Sequence, residues 1–330
     1  SPCISPDGKK MVFARVDNSH TYFKDGVAVH PRQIWVMGVD GSGETQITQN
    51  IQYDISNPKW SNNGKWIIRM EDLDPPREMA NAKERILEAL DVYQLYSDEP
   101  IVYQSERYPL YQAALDRLIH NDLVFPCTCS RKQLSAVDGI HFGNCGSDIS
   151  SPDIEFAWRF NCQSINAELN TESEVSFNDA LQGHFKQSLQ QDIGDFVVKR
   201  KDLLWAYQLA MVVDDFQQGV THVVRGIDLI DSTLRQNMLQ RALNYPIPHY
   251  AHIPVACAEN GQKLSKQNLA PALDLENPAA NLWRALSWLR QEPPENLRQE
   301  SVKEVLAWGI ANWQPLKLQG LQNQAANYPA

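Results

Sequence analysis

The sequence has no apolar run long enough to cross a membrane and no excess of positive charge. Among its 330 residues, 40 Asp and Glu outnumber 30 Lys and Arg, which gives a net charge of -10 and a pI near 5.3. This balance argues against nucleic-acid binding through a generally basic surface, although Lys199-Arg200-Lys201 leaves room for a locally basic groove. The pattern of a secretion signal is also missing, so we expect a cytoplasmic protein.

Cysteines are few, and their arrangement is not that of a disulfide framework. Only six occur, and three of them, Cys127, Cys129 and Cys145, lie close together with His141 in the spacing C-x-C-x11-H-x3-C. Four thiolate and imidazole ligands suit tetrahedral Zn²⁺ and leave no open position. The cluster therefore predicts a structural zinc site in a reducing compartment. The alternative is three reduced cysteines beside a loop histidine.

Residues 1–65 differ in pattern from the rest of the chain. Short β-prone runs alternate with turns rich in Gly, Asn, Asp and Ser, which predicts an antiparallel meander of three to five strands. The strings SPDGKKMVFAR and QIWVMGVDGSGETQIT resemble the TolB-type repeat of β-propellers. About one and a half copies cannot close a propeller ring. The alternative is a β-hairpin unit with no function of its own.

From residue 66 onward, strand-like and helical patterns alternate. Such alternation predicts a parallel α/β sheet of the Rossmann type, which we place in residues 66–260, with the zinc insertion at about residues 125–150. Residues 261–330 form a mainly helical C-terminal region. Ligands of such sheets bind beyond the carboxyl ends of the strands.

Acidic residues follow two apolar runs. Glu71 and Asp72 come directly after the first predicted strand, where a carboxylate could bind an ammonium group. The alternative is an acidic helix start favoured by the helix dipole. We prefer the binding role for Glu71 and the structural role for Asp74. Asp214 and Asp215 close a later apolar run, where they either face the ligand or cap the following turn.

Arg225 ends an apolar strand and precedes a glycine. A guanidinium group in this position can bind a carboxylate bidentately, or it can form an internal ion pair with Asp228 or Asp231. Tyr207 could offer a hydroxyl to the same ligand, although a tyrosine in an apolar run is often simply a core residue. Glu71 and Arg225 together provide one partner for an amine and one for a carboxylate. An amino acid with an acidic side chain makes both demands.

The run Lys263-Leu264-Ser265-Lys266-Gln267 places two ammonium groups and a hydroxyl on one loop. Lys ammonium is a compact charge that suits phosphate. Such a loop can hold the departing pyrophosphate when an adenylate forms. The string alone is weak, because short runs with two lysines occur in many surface loops.

Five strings together resemble one family, the glutamyl-Q tRNA(Asp) synthetases, which are free-standing relatives of the glutamyl-tRNA synthetase catalytic core. They are RMEDLDPPRE, YQSERY, PCTCSRKQL…GIHFGNC, WAYQLAMVVDDFQQGVTHVVRGIDLIDST and KLSKQN. The resemblance extends from about residue 66 to the end. It implies a class I synthetase core that activates glutamate with ATP and transfers it to queuosine in the anticodon of tRNA(Asp).

The resemblance also implies roles for individual residues. Glu71 would bind the α-amino group, and Tyr207 and Arg225 would bind the glutamate side. Lys263 and Lys266 would act in catalysis as part of a KMSKS-type loop, with Lys266 in contact with ATP and Mg²⁺ accompanying the nucleotide. The zinc ligands would be Cys127, Cys129, His141 and Cys145. The expected protein is a monomer.

One part of the family pattern is missing. The family begins with a strand, an RFAPSPTG-like turn and a HIGH-type motif, and nothing in residues 1–65 matches them. The missing helix start would bind phosphate and position ATP, so we expect impaired catalysis by this chain. The alternative function is that of an inactive chimera or fusion that binds tRNA or a protein. A periplasmic propeller-type scaffold is a third hypothesis, against which the single blade argues.

Overall fold

The structure is a computed structural model of the whole chain. In residues 1–67 it describes only the backbone of six short strands. Beyond that point it describes residues 68–75, 81–97, 99–135, 140–141, 154–164, 174–258, 263–264, 273 and 275–325. Within these residues, none of the helices has both the length and the apolar character that a bilayer crossing requires.

The chain divides into two compact units. One consists of Ser1–Lys65 with Asp274–Gln314, and the other of Trp66–Leu273 with Pro315–Ala330. Every described residue of the predicted site belongs to the second unit. The three-part domain division drawn from the sequence stays a prediction.

The α-helices whose bounds the structure gives are α1 Ala82–Val92, α2 Tyr108–His120, α3 Arg131–Ser135, α4 Tyr207–Gln217, α5 Ile230–Ala242, α6 Pro278–Trp288 and α7 Val302–Asn312. The strands are β1 Cys3–Ile4, β2 Lys10–Val16, β3 Tyr22–Lys24, β4 Val27–Val29, β5 Arg32–Gly38, β6 Thr45–Gln46, β7 Arg69–Met70, β8 Val102–Tyr103, β9 Val124–Cys127, β10 Ala157–Phe160, β11 Glu174–Asp179, β12 Gly183–Ser188, β13 Phe196–Lys199, β14 His222–Gly226, β15 His249–Ile253, β16 Val255–Cys257 and β17 Asn323–Ala325.

The sheets of the second unit are mixed and not purely parallel. Strands β7 and β8 pair in parallel across α1, and β14 and β15 pair in parallel across α5. These two crossovers are typical of α/β folds. The larger sheet has the order β12-β11-β15-β14, with β11 and β12 antiparallel, and β13-β10-β9 form a separate antiparallel sheet. The expected α/β class is confirmed. The predicted parallel sheet is found only in part, because the described sheets contain both parallel and antiparallel strand pairs.

The core of the second unit lies among α2, α4, α5 and the strands beside them. Apolar residues of α2 recur three and four positions apart, so one face of the helix is buried. That face carries Tyr111, Ala114, Leu115 and Leu118, each at most 2% exposed. Helix α4 packs between α2 and α5 and is buried along most of its length. The core therefore fixes the start of α4, where Tyr207 lies.

The first unit contains the N-terminal strands and the helices α6 and α7. The strands pair antiparallel in the order β1-β2-β5-β6, and β3 and β4 form their own hairpin between β2 and β5. Consecutive strands are therefore not all neighbours, as they would be in a simple meander. A small core surrounds Trp283, Leu297 and Val305. Ser301 and Glu304 form a capping box that starts α7.

Candidate functional site

Arg225 lies in β14 next to the end of the strand, and three side chains hold its guanidinium group. Nε donates to His252 Nε2 at 3.1 Å, Nη1 to Gln236 Oε1 at 2.8 Å and Nη2 to Thr233 Oγ1 at 2.8 Å. The guanidinium carbon also lies 5.4 Å from the ring centroid of Tyr250. All these partners are neutral, provided that His252 is unprotonated. The positive charge of Arg225 is therefore available for an anionic ligand.

Strand register and helix spacing explain this arrangement. Arg225 is opposite His252 in the parallel pair β14–β15, and Thr233 and Gln236 are three apart in α5, on one face of the helix. Gly226 leaves room for two neighbouring side chains to approach the backbone. A Cβ atom at this position would meet the carboxylate of Asp228 and would lie 2.9 Å from Val255 Cγ1.

The alternative prediction, an ion pair of Arg225 with Asp228 or Asp231, is wrong within the described residues. Asp228 instead pairs with Lys263, and Asp231 Oδ1 accepts a hydrogen bond from Gln187 at 2.9 Å. The partners of Arg225 are therefore uncharged acceptors and not carboxylates.

Glu71 lies immediately after β7 with its side chain 44% exposed. Its one hydrogen bond in the described structure is a long contact of 3.4 Å from Arg69 Nη2. Arg69 is held more closely by Asp215 Oδ1 at 2.9 Å and Gln218 Oε1 at 2.6 Å. Partial burial raises the pKa of Glu71 and outweighs the opposing effect of Arg69. Glu71 is thus a loosely held carboxylate that a cation could stabilise.

Tyr207 begins α4, and the charges of both Glu71 and Arg225 act on its hydroxyl group. Burial raises the pKa of its hydroxyl, the charge of Arg225 lowers it and the charge of Glu71 raises it. Tyr207 and Glu71 both line a cavity of about 750 Å³. Arg225 is not among the residues that line this cavity, and it is related to the other two through its charge, which acts on the Tyr207 hydroxyl as that of Glu71 does. That these three residues form one ligand site stays a prediction.

Arg200 and Lys201 of the basic run Lys199-Arg200-Lys201 line this cavity, but the charges of the run are engaged. Lys199 lies 4.4 Å from the Trp205 ring centroid. Arg200 pairs with Asp74 and Asp202, and Lys201 donates to a backbone carbonyl at 2.6 Å. The preferred structural role of Asp74 agrees with its ion pair. The run does not form an open basic surface.

Asp214 and Asp215 have different roles. Asp214 is fully buried and accepts hydrogen bonds from Gln104, Arg107 and Tyr111 at 2.6–2.7 Å. These bonds fasten α4 to the YQSERY segment and the start of α2. Asp215 holds Arg69 and thereby the end of β7. Through these contacts both residues stabilise the structure, and neither caps the following turn with its side chain.

Asp72 also has a structural role. Its side chain is 2% exposed, and its carboxylate accepts hydrogen bonds from Lys83 Nζ at 2.7 Å and from the backbone and hydroxyl of Ser105 at 2.9 and 2.7 Å. Glu71 and Asp72 are adjacent, so their side chains point in different directions. One is available to a ligand and the other joins the strand end to the YQSERY segment.

Only the beginning of the lysine loop is described. Lys263 pairs with Asp228, forms an isolated bridge with Cys257, and is followed by Leu264, whose N–H donates to Ala256 O at 2.8 Å. The start of the loop is therefore tied to β16 and to the segment that follows Arg225. Lys266 lies outside the described residues, and the catalytic roles of both lysines stay predictions.

Three of the four predicted metal ligands lie together. The ligand atoms of Cys127, Cys129 and His141 are all within 4.8 Å of one another, and Cys127 Sγ lies 3.6 Å from His141 Nε2. A tetrahedral ion with Zn–S of about 2.3 Å and Zn–N of about 2.0 Å separates such ligand atoms by about 3.6 Å. The donor set therefore fits zinc. Cys145 lies outside the described residues.

Two further residues support this cluster. Asp195 Oδ2 lies 3.3 Å from His141 Nδ1, which leaves Nε2 facing Cys127, and Arg159 Nε donates to Cys127 Sγ at 3.2 Å. Gly194 has φ +61°, and a Cβ atom there would lie 2.7 Å from the carbonyl oxygen of His141. The spacing of the cysteines does not predict these residues, because Arg159 lies in β10 and Gly194 and Asp195 lie just before β13.

Comparisons with known proteins show what this chain is similar to. The sequence model of the family "tRNA synthetases class I (E and Q), catalytic domain" matches residues 57–278. The glutamyl-Q tRNA(Asp) synthetase of Pseudomonas aeruginosa PAO1 is 44% identical over 255 residues, which is 77% of this chain and 84% of the relative. The enzyme of the same name from Neisseria meningitidis is 44% identical over 262 residues, covering 77% and 85%.

A solved structure shows the same fold. The crystal structure of glutamate-tRNA synthetase from Elizabethkingia anophelis matches 79% of this chain with a TM-score of 0.60 and 22% identity, and the match covers 62% of that longer protein. These matches give no support to the propeller resemblance of residues 1–65. The family match begins at residue 57, so the first 56 residues lie outside it.

Proposed function

Because this chain belongs to the class I glutamyl and glutaminyl tRNA synthetase family, and within it to the glutamyl-Q tRNA(Asp) synthetases, we propose that it esterifies glutamate to queuosine in tRNA(Asp). It is an ATP-dependent ligase of the synthetase type. The glutamate carboxylate attacks the α-phosphate of ATP, which releases pyrophosphate and leaves glutamyl-adenylate. A hydroxyl of the modified nucleoside then attacks the acyl carbon and releases AMP.

The observation that carries the choice of amino acid is the combination of Glu71, Tyr207 and Arg225. An exposed carboxylate suits the ammonium group of an amino acid, and a guanidinium group whose partners are neutral suits a carboxylate. The hydroxyl of Tyr207 interacts with both charges. A neutral or basic side chain would leave the charge of Arg225 without a counter-ion.

The alternative of an inactive tRNA- or protein-binding module is not favoured. A chain that kept only a binding role would have no need of an acid and a guanidinium group placed for an amino acid. The absence of a HIGH-type motif from residues 1–65 predicts weaker positioning of ATP. We therefore expect slow turnover with an intact requirement for glutamate.

Transfer of labelled glutamate tests the tRNA substrate. We expect label in tRNA(Asp) that contains queuosine and none in the same tRNA with guanosine at that position. A matched control is tRNA(Glu), which should also stay unlabelled. Equal labelling of both forms of tRNA(Asp) would overturn the assignment of the modified nucleoside, and labelling of tRNA(Glu) would indicate an ordinary glutamyl-tRNA synthetase.

We also propose that Cys127, Cys129, His141 and Cys145 bind a structural Zn²⁺. The ion would hold the segment after β9 in place and take no part in the chemistry, since four protein ligands leave no open position. Metal analysis of the purified protein should find about one zinc per chain. Cys127→Ser should lower that content and the melting temperature together, and wild-type protein without metal would refute the site.

A cytoplasmic location and a monomeric state are also part of the proposed function.

A further inference from the structure

The residues behind Arg225 form a buried chain of polar groups that ends at an aspartate. His252 lies between them, with Nε2 3.1 Å from Arg225 Nε and Nδ1 2.6 Å from Asp179 Oδ2. His252 and Asp179 are both closed to solvent, at 0% side-chain exposure. Neither residue lines the cavity beside Glu71 or is needed for the chemistry of adenylate formation. A buried histidine–aspartate pair is costly to desolvate, so its presence calls for an explanation.

Hydrogen-bond chemistry fixes the proton on His252. A guanidinium group only donates, so His252 Nε2 must be the acceptor and must carry no proton. The ring proton then lies on Nδ1, where Asp179 accepts it. The arrangement has one consistent set of donors and acceptors, and it needs Asp179 to be ionised.

Asp179 is well placed for this role. It is the last residue of β11, and its Oδ1 accepts hydrogen bonds from the backbone N–H groups of Leu181, Gln182 and His252 at 2.9–3.1 Å. Burial alone would raise the pKa of Asp179, but the hydrogen bonds from His252 and the backbone hold that pKa below its usual value. Oδ1 therefore stabilises the turn after β11, and Oδ2 accepts the hydrogen bond from His252.

We propose that Asp179 and His252 are positioning residues for substrate recognition: Asp179 fixes the Nδ1–H tautomer of His252, and His252 Nε2 orients Arg225 toward the carboxylate of glutamate. The inference rests on the proposed function, in which Arg225 binds glutamate. Asp179 acts through His252 alone and touches no substrate. Binding of glutamate, and not the rate of the chemical step, should depend on both residues.

Asp179→Asn tests the tautomer with little change in shape. The amide oxygen can keep the three backbone hydrogen bonds, while the amide nitrogen then faces His252 Nδ1. That nitrogen donates, so the ring must move its proton to Nε2, where it opposes the N–H of Arg225. We expect the KM for glutamate in pyrophosphate exchange to rise about tenfold or more, with kcat changed less than about threefold, because a binding interaction is lost in ground and transition states alike.

Two substitutions of His252 separate its two hydrogen bonds. In His252→Asn the amide nitrogen can still donate to Asp179, but no acceptor reaches Arg225, and we expect the same rise in KM. In His252→Gln the amide oxygen can replace Nε2 as the acceptor, and the KM should stay within about threefold of wild type. His249→Asn, at an exposed position of the same strand, is the control and should change neither constant. Circular dichroism checks that each variant is folded.

Nitrogen NMR of histidine-labelled protein gives an answer that does not depend on activity. The wild-type spectrum should show His252, assigned by its loss in His252→Asn, protonated at Nδ1 and not at Nε2, and Asp179→Asn should reverse this. A wild-type His252 protonated at Nε2 overturns the inference. Wild-type KM values in both Asp179→Asn and His252→Asn overturn it as well, even when Arg225→Ala abolishes exchange. Failure of the proposed function looks different, because the folded wild type would then show no glutamate-dependent exchange whatever its tautomer.

Discussion

The two ends of the candidate glutamate site are built differently. Arg225 has three side-chain partners at 2.8–3.1 Å, and one of these, His252, is backed by a buried aspartate. Glu71 has a single long contact to Arg69 and is nearly half exposed. In the proposed site, the group for the carboxylate is therefore already held in place, whereas the group for the amine is held by one long contact.

This difference has an energetic meaning. A group that is already oriented loses little freedom when the ligand binds, so more of its interaction energy appears as affinity. A loosely held carboxylate must be ordered on binding, and this ordering subtracts from affinity. The Arg225 end should therefore contribute more to glutamate binding than the Glu71 end.

Removal of the Arg225 side chain should have the largest effect. Arg225→Ala takes away the charge that faces the substrate carboxylate, a loss of about 2–5 kcal/mol or roughly 30-fold and more in kcat/KM for glutamate. Arg225→Lys keeps the charge but not the fixed fork of donors and should recover only part of the activity. Steady-state exchange kinetics measure both. Nearly normal kcat/KM in Arg225→Ala would show that the carboxylate binds elsewhere.

Neutralisation of Glu71 should have a smaller effect. Glu71→Gln keeps the shape of the side chain and removes the charge opposite the ammonium group, which we expect to cost about 1.5 kcal/mol, or roughly tenfold in KM for glutamate. The same kinetics test it. A loss in Glu71→Gln greater than that in Arg225→Ala would reverse the comparison between the two ends.

The pH dependence of glutamate affinity sharpens the same point. The pKa of Glu71 in the free protein is raised above 4.5 by burial, so Glu71 takes up a proton sooner than an ordinary glutamate as the pH falls. Binding of an ammonium group needs the ionised form, and wild-type affinity should therefore weaken as the pH drops through this raised pKa. Calorimetric titrations of wild type and Glu71→Gln across the same pH range measure it, because protonation of free glutamate itself affects both proteins alike. Glu71→Gln should show a flatter dependence, and an equally steep one would assign the titration to another group.

Removal of the Tyr207 hydroxyl should have the smallest effect. Tyr207→Phe deletes one neutral hydrogen-bonding group, worth about 1 kcal/mol or roughly fivefold in KM. The ring stays in place, so the start of α4 should keep its structure and the melting temperature should not change. A loss as large as that of Arg225→Ala would mean that the hydroxyl takes part in the reaction itself.

The sequence predicts the proposed ligand-binding residues better than the residues that hold them in place. Glu71, Tyr207 and Arg225 are recognisable because each stands next to a predicted strand or in a helix with a family motif. His252, Thr233 and Asp179 are not, since they approach Arg225 from β15, α5 and β11, and only the register of the sheet brings them together. For Arg225 the sequence left open an internal ion pair with Asp228 or Asp231 as the alternative to ligand binding, and the structure shows neutral acceptors instead.

In the fold, too, local elements are predictable from the sequence and the pairing between distant strands is not. Short apolar runs predict strands at residues 196–198 and 220–224, and apolar spacing predicts a helix from about residue 109 to residue 120. The structure has the strands Phe196–Lys199 and His222–Gly226 and the helix Tyr108–His120. The pairing of β11 with β12 and of β9 with β10 and β13 is antiparallel, and it depends on long-range contacts that local patterns do not contain. Residues 1–65 carry a clear β pattern, but about one and a half copies of a repeat give too little information to name an architecture.

Exchange of labelled pyrophosphate into ATP tests the central claim that this chain activates glutamate. The folded, metal-loaded protein should catalyse exchange that requires glutamate, is not supported by glutamine or lysine, and disappears in Arg225→Ala. Slow exchange with this selectivity agrees with the account, given the missing HIGH-type motif. No exchange above background with glutamate, or equal exchange with glutamine, would contradict it.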